Sequence, residues 1–275
     1  MPKSDLRQQL ETEGYAVVPG VVPKPNVDAV VADLWKHTGA DPNDPSTWYR
    51  PDIIRPTGMV EMYHYQSMWD NRQLPALHEV FTEIHGTPKL WVSLDRTNLK
   101  PPSVPEHPEY EHKGFVHWDT ELEKYPDIPF RVQCVLALAD TEADMGGFQC
   151  VPEIYRDLAA YIERYGPDRK TQLNGHSVTK VPLRAGDLVI WSTLMAHGNG
   201  NNLSDRPRLA QYVSMNPAPS GSADAGPRIE AWRNNSPVAG ANAFPGDPRR
   251  IEESRSEPAK LTGLGRKLLG LDPWE

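Results

Sequence analysis

The chain has 275 residues and a hydrophobic content of 38%, enough for one sizeable core, and no apolar run approaches the roughly 18 residues of a membrane span. A formal charge of -8 argues against broad nucleic-acid binding, which needs clustered Lys and Arg against phosphates. The polar start from Met1 to Arg7 has no apolar signal region, and two cysteines, Cys134 and Cys150, are too few for a zinc ribbon and suit a reducing compartment, so a cytoplasmic protein is expected.

Leu6 and Leu10 share a helical face within 5–14. Tyr15-Ala16-Val17-Val18 reads as a strand stopped by Pro19-Gly20. Asn26 is expected to cap a helix over 27–37 with Val27, Val30, Val31 and Leu34 as its stripe. Four prolines make 41–56 an irregular loop. Helical spacing resumes over 74–85, and a strand starting at Leu90 is expected to run to about Leu99.

Beyond this point the pattern is mainly β. Strands are expected over 132–138, 148–152, 178–183 and 188–191, with a last one over 208–215. Gly146-Gly147 and Ala185-Gly186-Asp187 make tight turns between them. Residues 153–165 read as a helical excursion. Short strands with Gly-centred turns predict a mainly β sandwich or jelly roll with flanking helices. Residues 1–216 are expected to form a single domain. Residues 217–275, rich in Pro, Gly, Ala and Arg, would be an extension that wraps it or is partly disordered.

The chemistry centres on Gly114-Phe115-Val116-His117-Trp118-Asp119-Thr120. His117 and Asp119, two apart, leave the same face of an extended segment. With a distant second histidine, for which His197 is the candidate, they would make the two-His, one-carboxylate set of non-haem iron(II) oxygenases. The same pair could equally be hydrogen-bonded across a strand edge. Arg208 lies eleven residues after His197 and shares a strand face with Ala210, Tyr212 and Ser214. Pointing inward, it would need an anion, for which a bidentate carboxylate is the natural partner; pointing outward, it would be an ordinary surface charge. Arg206 shares its parity and competes for the role, but Pro207 favours a strand start at Arg208.

Taken together, His117-Trp118-Asp119, Gly146-Gly147-Phe148-Gln149-Cys150-Val151-Pro152, Arg184-Ala185-Gly186-Asp187-Leu188, His197 and Arg208 resemble the phytanoyl-CoA dioxygenase family. Arg96-Thr97-Asn98-Leu99-Lys100-Pro101 and Glu13-Gly14-Tyr15 add to the likeness, which spans roughly residues 5 to 216. The resemblance implies a double-stranded β-helix (jelly-roll or cupin-like) and an oxygenase dependent on Fe(II), 2-oxoglutarate and O2. It also implies His117, Asp119 and His197 as iron ligands and Arg208 as the clamp on the distal carboxylate of 2-oxoglutarate. Lys100 and Asn98 would assist, and Gln133 and Asn199 would line the cosubstrate site. Glu153-Ile154-Tyr155 stands where the family commonly has Gly-Ser-His, so the resemblance carries over no residues on the substrate side of the pocket there. Asp119 is present where a halogenase of the superfamily would carry a small residue, so the resemblance implies oxygenation, with hydroxylated substrate as the default product and desaturation, epoxidation or ring closure as alternatives.

A small-molecule metabolite or natural-product intermediate is the expected substrate, with succinate and CO2 released and no nucleic-acid, membrane or obligatory protein partner. Two other classes remain: a metal hydrolase on the same three residues, and a catalytically silent jelly-roll binding protein. The first leaves Arg208 without a purpose, and the second leaves the whole constellation without one.

Overall fold

The computed structural model describes residues 6–112, 114, 116–219, 224–240 and 243–275. Asp5, the expected start of the first helix, and Phe115, in the run before His117, lie outside the described residues. Four helices occupy the first third: α1 (Leu6–Glu13), α2 (Lys24–Thr38), α3 (Gln66–Arg72) and α4 (Pro75–His85). The strands there are β1 (Tyr15–Val18), β2 (Met59–Val60), β3 (Leu90–Val92) and β4 (Thr97–Lys100). Next come β5 (Val132–Ala137), β6 (Phe148–Cys150), helices α5 (Pro152–Arg156) and α6 (Leu158–Tyr165), β7 (Thr179–Lys180), β8 (Leu188–Ser192) and β9 (His197–Asn199). The chain closes with β10 (Arg208–Tyr212), β11 (Met215–Pro217), α7 (Gly226–Arg233) and α8 (Gly263–Leu269).

A six-stranded antiparallel sheet, ordered β1-β8-β5-β10-β4-β2, is the backbone of the molecule. Side-chain alternation divides its two faces. Leu188 and Ile190 of β8, with Cys134 and Leu136 of β5, join the main core with Leu10, Val30, Leu34, Phe81 and Trp69 of the helices. Val189, Trp191, Val135, Ala137 and Ala210 leave the opposite face and pack with Phe148 and Cys150 of the β7-β6-β9 sheet. The chemistry lies on that second face.

Several expected elements divide where the chain turns a corner. The strand expected over 90–99 is β3 and β4, which belong to different sheets. The run from Arg208 to Met215 breaks opposite it, so β10 pairs with β4 and β11 with β3. The junction is tied by the Ser93 N–H donating to the Ser214 carbonyl at 2.7 Å. The excursion over 153–165 is two helices, broken where Asp157 leaves helical backbone. Helix α2 starts before Asn26: Pro23 is the N-cap and proline occupies the first turn, where its missing N–H costs nothing. Helix α3 escaped the periodicity because it buries polar Ser67, Asn71 and Arg72 beside Met68 and Trp69, so its sequence shows no apolar stripe.

Beyond 217, both described helices return to the main core. Ala231 of α7 and Leu268 and Leu269 of α8 are buried there. Between those helices Glu252, only 3% exposed, accepts the backbone N–H groups of Tyr63 and His64 at 2.5 and 2.6 Å. Burial pushes its carboxyl up to about 7. Glu252→Ala would orphan two buried donors, each costing about 1–3 kcal/mol, so a loss of about 2–6 kcal/mol is expected in urea unfolding. An unchanged transition midpoint would mean that this contact does not hold the extension down.

Candidate metal centre and its cavity

The site starts from a backbone pairing. His117 and His197 exchange both hydrogen bonds, N–H to carbonyl at 2.8 and 3.0 Å. Such a directly opposed antiparallel pair places both side chains on one face. On its other edge the His117 segment is held by the 169–171 stretch, with Trp118 N–H donating to the Arg169 carbonyl and Thr171 N–H to that of Val116, both at 3.1 Å. Alternation turns Trp118 away, fully buried, with its indole N–H on the Leu194 carbonyl at 2.9 Å. Asp119 then returns to the side of His117.

The donor atoms of His117, Asp119 and His197 all lie within 4.8 Å of one another. His117 Nε2 is 3.2 Å from one Asp119 oxygen, and His197 Nε2 is 3.5 Å from the other. His197 Nδ1 sits 3.0 Å from the Met195 carbonyl, which can only accept. That contact puts the proton on Nδ1 and leaves the Nε2 lone pair aimed at the cluster.

The carboxylate is held from two sides. Gln133 Nε2 donates to Asp119 Oδ2 at 3.0 Å, while Trp191 Nε1 donates to Gln133 Oε1 at 3.1 Å. An indole N–H only donates, so the Gln133 amide must present its NH2 to Asp119. Arg169 Nη2 donates to Asp119 Oδ1 at 3.1 Å. Burial alone would raise the Asp119 carboxyl, but the imidazoles of His117 and His197 and the Gln133 amide outweigh it and hold the group ionised, well below the usual carboxylate range.

These groups line a cavity of about 500 Å³ between the two sheets. Met59, Val135, Phe148, Trp191, Tyr212 and Phe244 give it apolar walls, and Asp95, Arg96 and Arg169 are its other charged residues. Gln133 and Asn199 border it as well. Arg208, Lys100 and Asn98 are not among the cavity's lining residues. They lie on the same sheet face as Tyr212, since Arg208 pairs with Lys100 and Ala210 with Asn98, but further along it and fully buried. Arg206 is instead exposed before the strand.

The buried end of this face is a concentration of positive charge. Arg208 is 2% exposed and its Nη1 has no hydrogen-bond partner. Burial, then the adjacent Arg208 charge, pushes Lys100 down to about 8. Lys100 Nζ donates to the carbonyls of Pro56 and Tyr110. Gly58, at φ +84°, crosses directly over Asn98 and Lys100, where a Cβ would come within 2.7 Å of Asn98 Oδ1. Two buried cations without a carboxylate are costly unless an anion is to be received. Two imidazole nitrogens and a carboxylate oxygen on one face, with a cavity opposite, likewise suit Fe(II).

The phytanoyl-CoA dioxygenase family model matches residues 10–210. The chain belongs to that family. As a phytanoyl-CoA dioxygenase family member it is a non-haem Fe(II)- and 2-oxoglutarate-dependent oxygenase. Among relatives of the family member described here, the Ava biosynthesis cluster protein O of Aspergillus versicolor is 24% identical over 245 residues, covering 78% of this chain and 77% of that protein. The fold is shared with the non-haem α-ketoglutarate-dependent epimerase SnoN of nogalamycin biosynthesis (TM-score 0.54, 20% identity, 94% of each chain). It is shared too with HygX of Streptomyces hygroscopicus, whose structure holds nickel and 2-oxoglutarate (TM-score 0.55, 17% identity, 79% of this chain and 88% of that one). Among the described residues no helix is long and apolar enough to cross a membrane.

Sequence reasoning missed Arg96, Arg169, Trp191 and Phe244. Trp191 was within reach, because it stands opposite Gln133 in the β8–β5 register. Arg169 was not, since it reaches Asp119 from a loop with no motif of its own.

Proposed function

We propose that the protein oxidises a C–H bond of a small-molecule metabolite or natural-product intermediate, hydroxylation being the default, with release of succinate and CO2. The observation that carries this reading is the convergence of His117, Asp119 and His197 on the wall of a 500 Å³ cavity. In this reading those three residues hold the iron, and the strands around them form a double-stranded β-helix in a domain ending near 216, with 217–275 as its extension. Arg208 pairs with the distal carboxylate of 2-oxoglutarate, Lys100 and Asn98 support that end, and Gln133 and Asn199 border the cosubstrate.

Iron and 2-oxoglutarate, when bound, supply an oxidant drawn from O2. The chain's own work is positional. Met195 fixes the tautomer of His197 through its carbonyl, and Gln133, itself fixed by Trp191, sets the plane of the Asp119 carboxylate. The apolar walls exclude water and hold the substrate against the centre.

Anaerobic addition of Fe(II) and then 2-oxoglutarate to the metal-free protein should give a weak visible charge-transfer band that needs both. Iron binding without such a band would favour a hydrolase on the same residues. No metal binding at all would favour a silent binding protein.

A further inference from the structure

The family-matched span ends at residue 210, yet Ala243 and Phe244 line the cavity that holds His117, Asp119 and His197. The seat of Phe244 is built into the fold. Arg96 Nη1 donates to the Ala243 carbonyl at 2.6 Å, and the same guanidinium lies 4.8 Å from the Phe244 ring centroid. Tyr63 meets the ring edge-on at 6.2 Å. Arg96 is itself pinned by buried Glu61 at 2.9 Å. Downstream, Asp247 accepts from Arg249 and faces His37, and Glu252 caps two backbone N–H groups, so the segment is moored after as well as at the ring.

Most polar side chains of the cavity hold a contact within the protein, although the buried Arg96 Nε has no hydrogen-bond partner. Gln133 and Arg169 donate to Asp119, Arg96 to Glu61, and Asn199 to the Tyr212 hydroxyl at 3.4 Å. Ser214 Oγ accepts from the Cys134 N–H, and Asp95 accepts from the Arg96 N–H. The largest continuous surface the cavity offers a substrate is apolar: Met59, Phe148, Trp191, Tyr212 and Phe244. We propose that Phe244 is a specificity-determining residue, forming the substrate-side wall on which an apolar, ring-sized part of the substrate packs. This rests on the oxygenase reading above and adds the class of substrate to it. It also assigns the C-terminal extension a part in choosing that substrate.

The test uses the full-length enzyme loaded anaerobically with Fe(II) and 2-oxoglutarate, with cyclohexanol and 1-naphthol as ring probes in calorimetry. Phe244→Ala should weaken ring binding by about tenfold or more, the scale of losing apolar contact in a pocket. Phe244→Trp should turn selection against 1-naphthol relative to cyclohexanol. In both variants the iron–2-oxoglutarate band and the cosubstrate dissociation constant should match those of the wild type. Failure of the wild type to bind either probe, or identical probe affinities in all three proteins, would overturn the proposal while leaving the oxygenase reading intact. Absence of the band in the wild type would remove that reading and this proposal with it.

Discussion

Asp119→Ala is expected to leave a folded protein that no longer binds Fe(II) tightly and no longer consumes 2-oxoglutarate. The carboxylate is the only anionic donor of the three, and it stands between the other two, 3.2 Å from one imidazole and 3.5 Å from the other. Its loss should exceed the roughly 10–100-fold that removing an outer-shell partner costs in metal affinity or activity. Folding should survive because the backbone exchange between His117 and His197 does not involve the carboxylate. Arg169, left without its partner, is 67% exposed and can turn to water. Fe(II) titration together with succinate release checks both halves. Retention of tight Fe(II) binding and normal turnover would remove Asp119 from the centre.

The cluster of His117, Asp119 and His197 was partly legible in the sequence, because strand parity is a local rule, while His197 joins it from a distant segment. His117 and Asp119 share a face by strand parity, and Arg208, Ala210 and Tyr212 share another, so a correct period was enough to orient them. The strands of the large sheet were legible for the same reason: β1, β5 and β8 are compact apolar runs bounded by turns. What stayed hidden depends on contacts between distant segments. The corner that separates β3 from β4 is matched by the break between β10 and β11 opposite it. The buried helix α3 shows no amphipathic stripe. Arg169 and Phe244 reach the cavity from loops whose composition says nothing of where they lead. The expected asparagine cap of α2 failed for a different reason: proline earlier in the chain had already begun the helix.

Replacing Arg208 by Met should separate stability from function. The wild-type guanidinium is buried beside Lys100, with Nη1 unpartnered, so the metal-free, cosubstrate-free protein carries an uncompensated charge. Exchanging such a charge for an apolar side chain of similar length is often neutral or stabilising, by about 1–4 kcal/mol. Arg208→Met should therefore unfold at the same urea concentration as the wild type or higher. Lys100, relieved of the neighbouring positive charge, should titrate above its present value of about 8. A lysine whose folded pKa lies below its unfolded value makes stability rise with pH between the two, and moving the folded value upward shrinks that rise. Cosubstrate binding should move the other way. Removing one partner of a buried charge pair costs about 3–5 kcal/mol, which is roughly two to four powers of ten in the dissociation constant for 2-oxoglutarate. Fe(II) affinity should hold, since Arg208 touches none of the three donors. A destabilised variant that still binds 2-oxoglutarate normally would mean that Arg208 is a structural cation and that the anion is received elsewhere. A stable variant that has lost only its cosubstrate would show that the protein carries this buried charge, at a cost to its own stability, for the carboxylate it is built to receive.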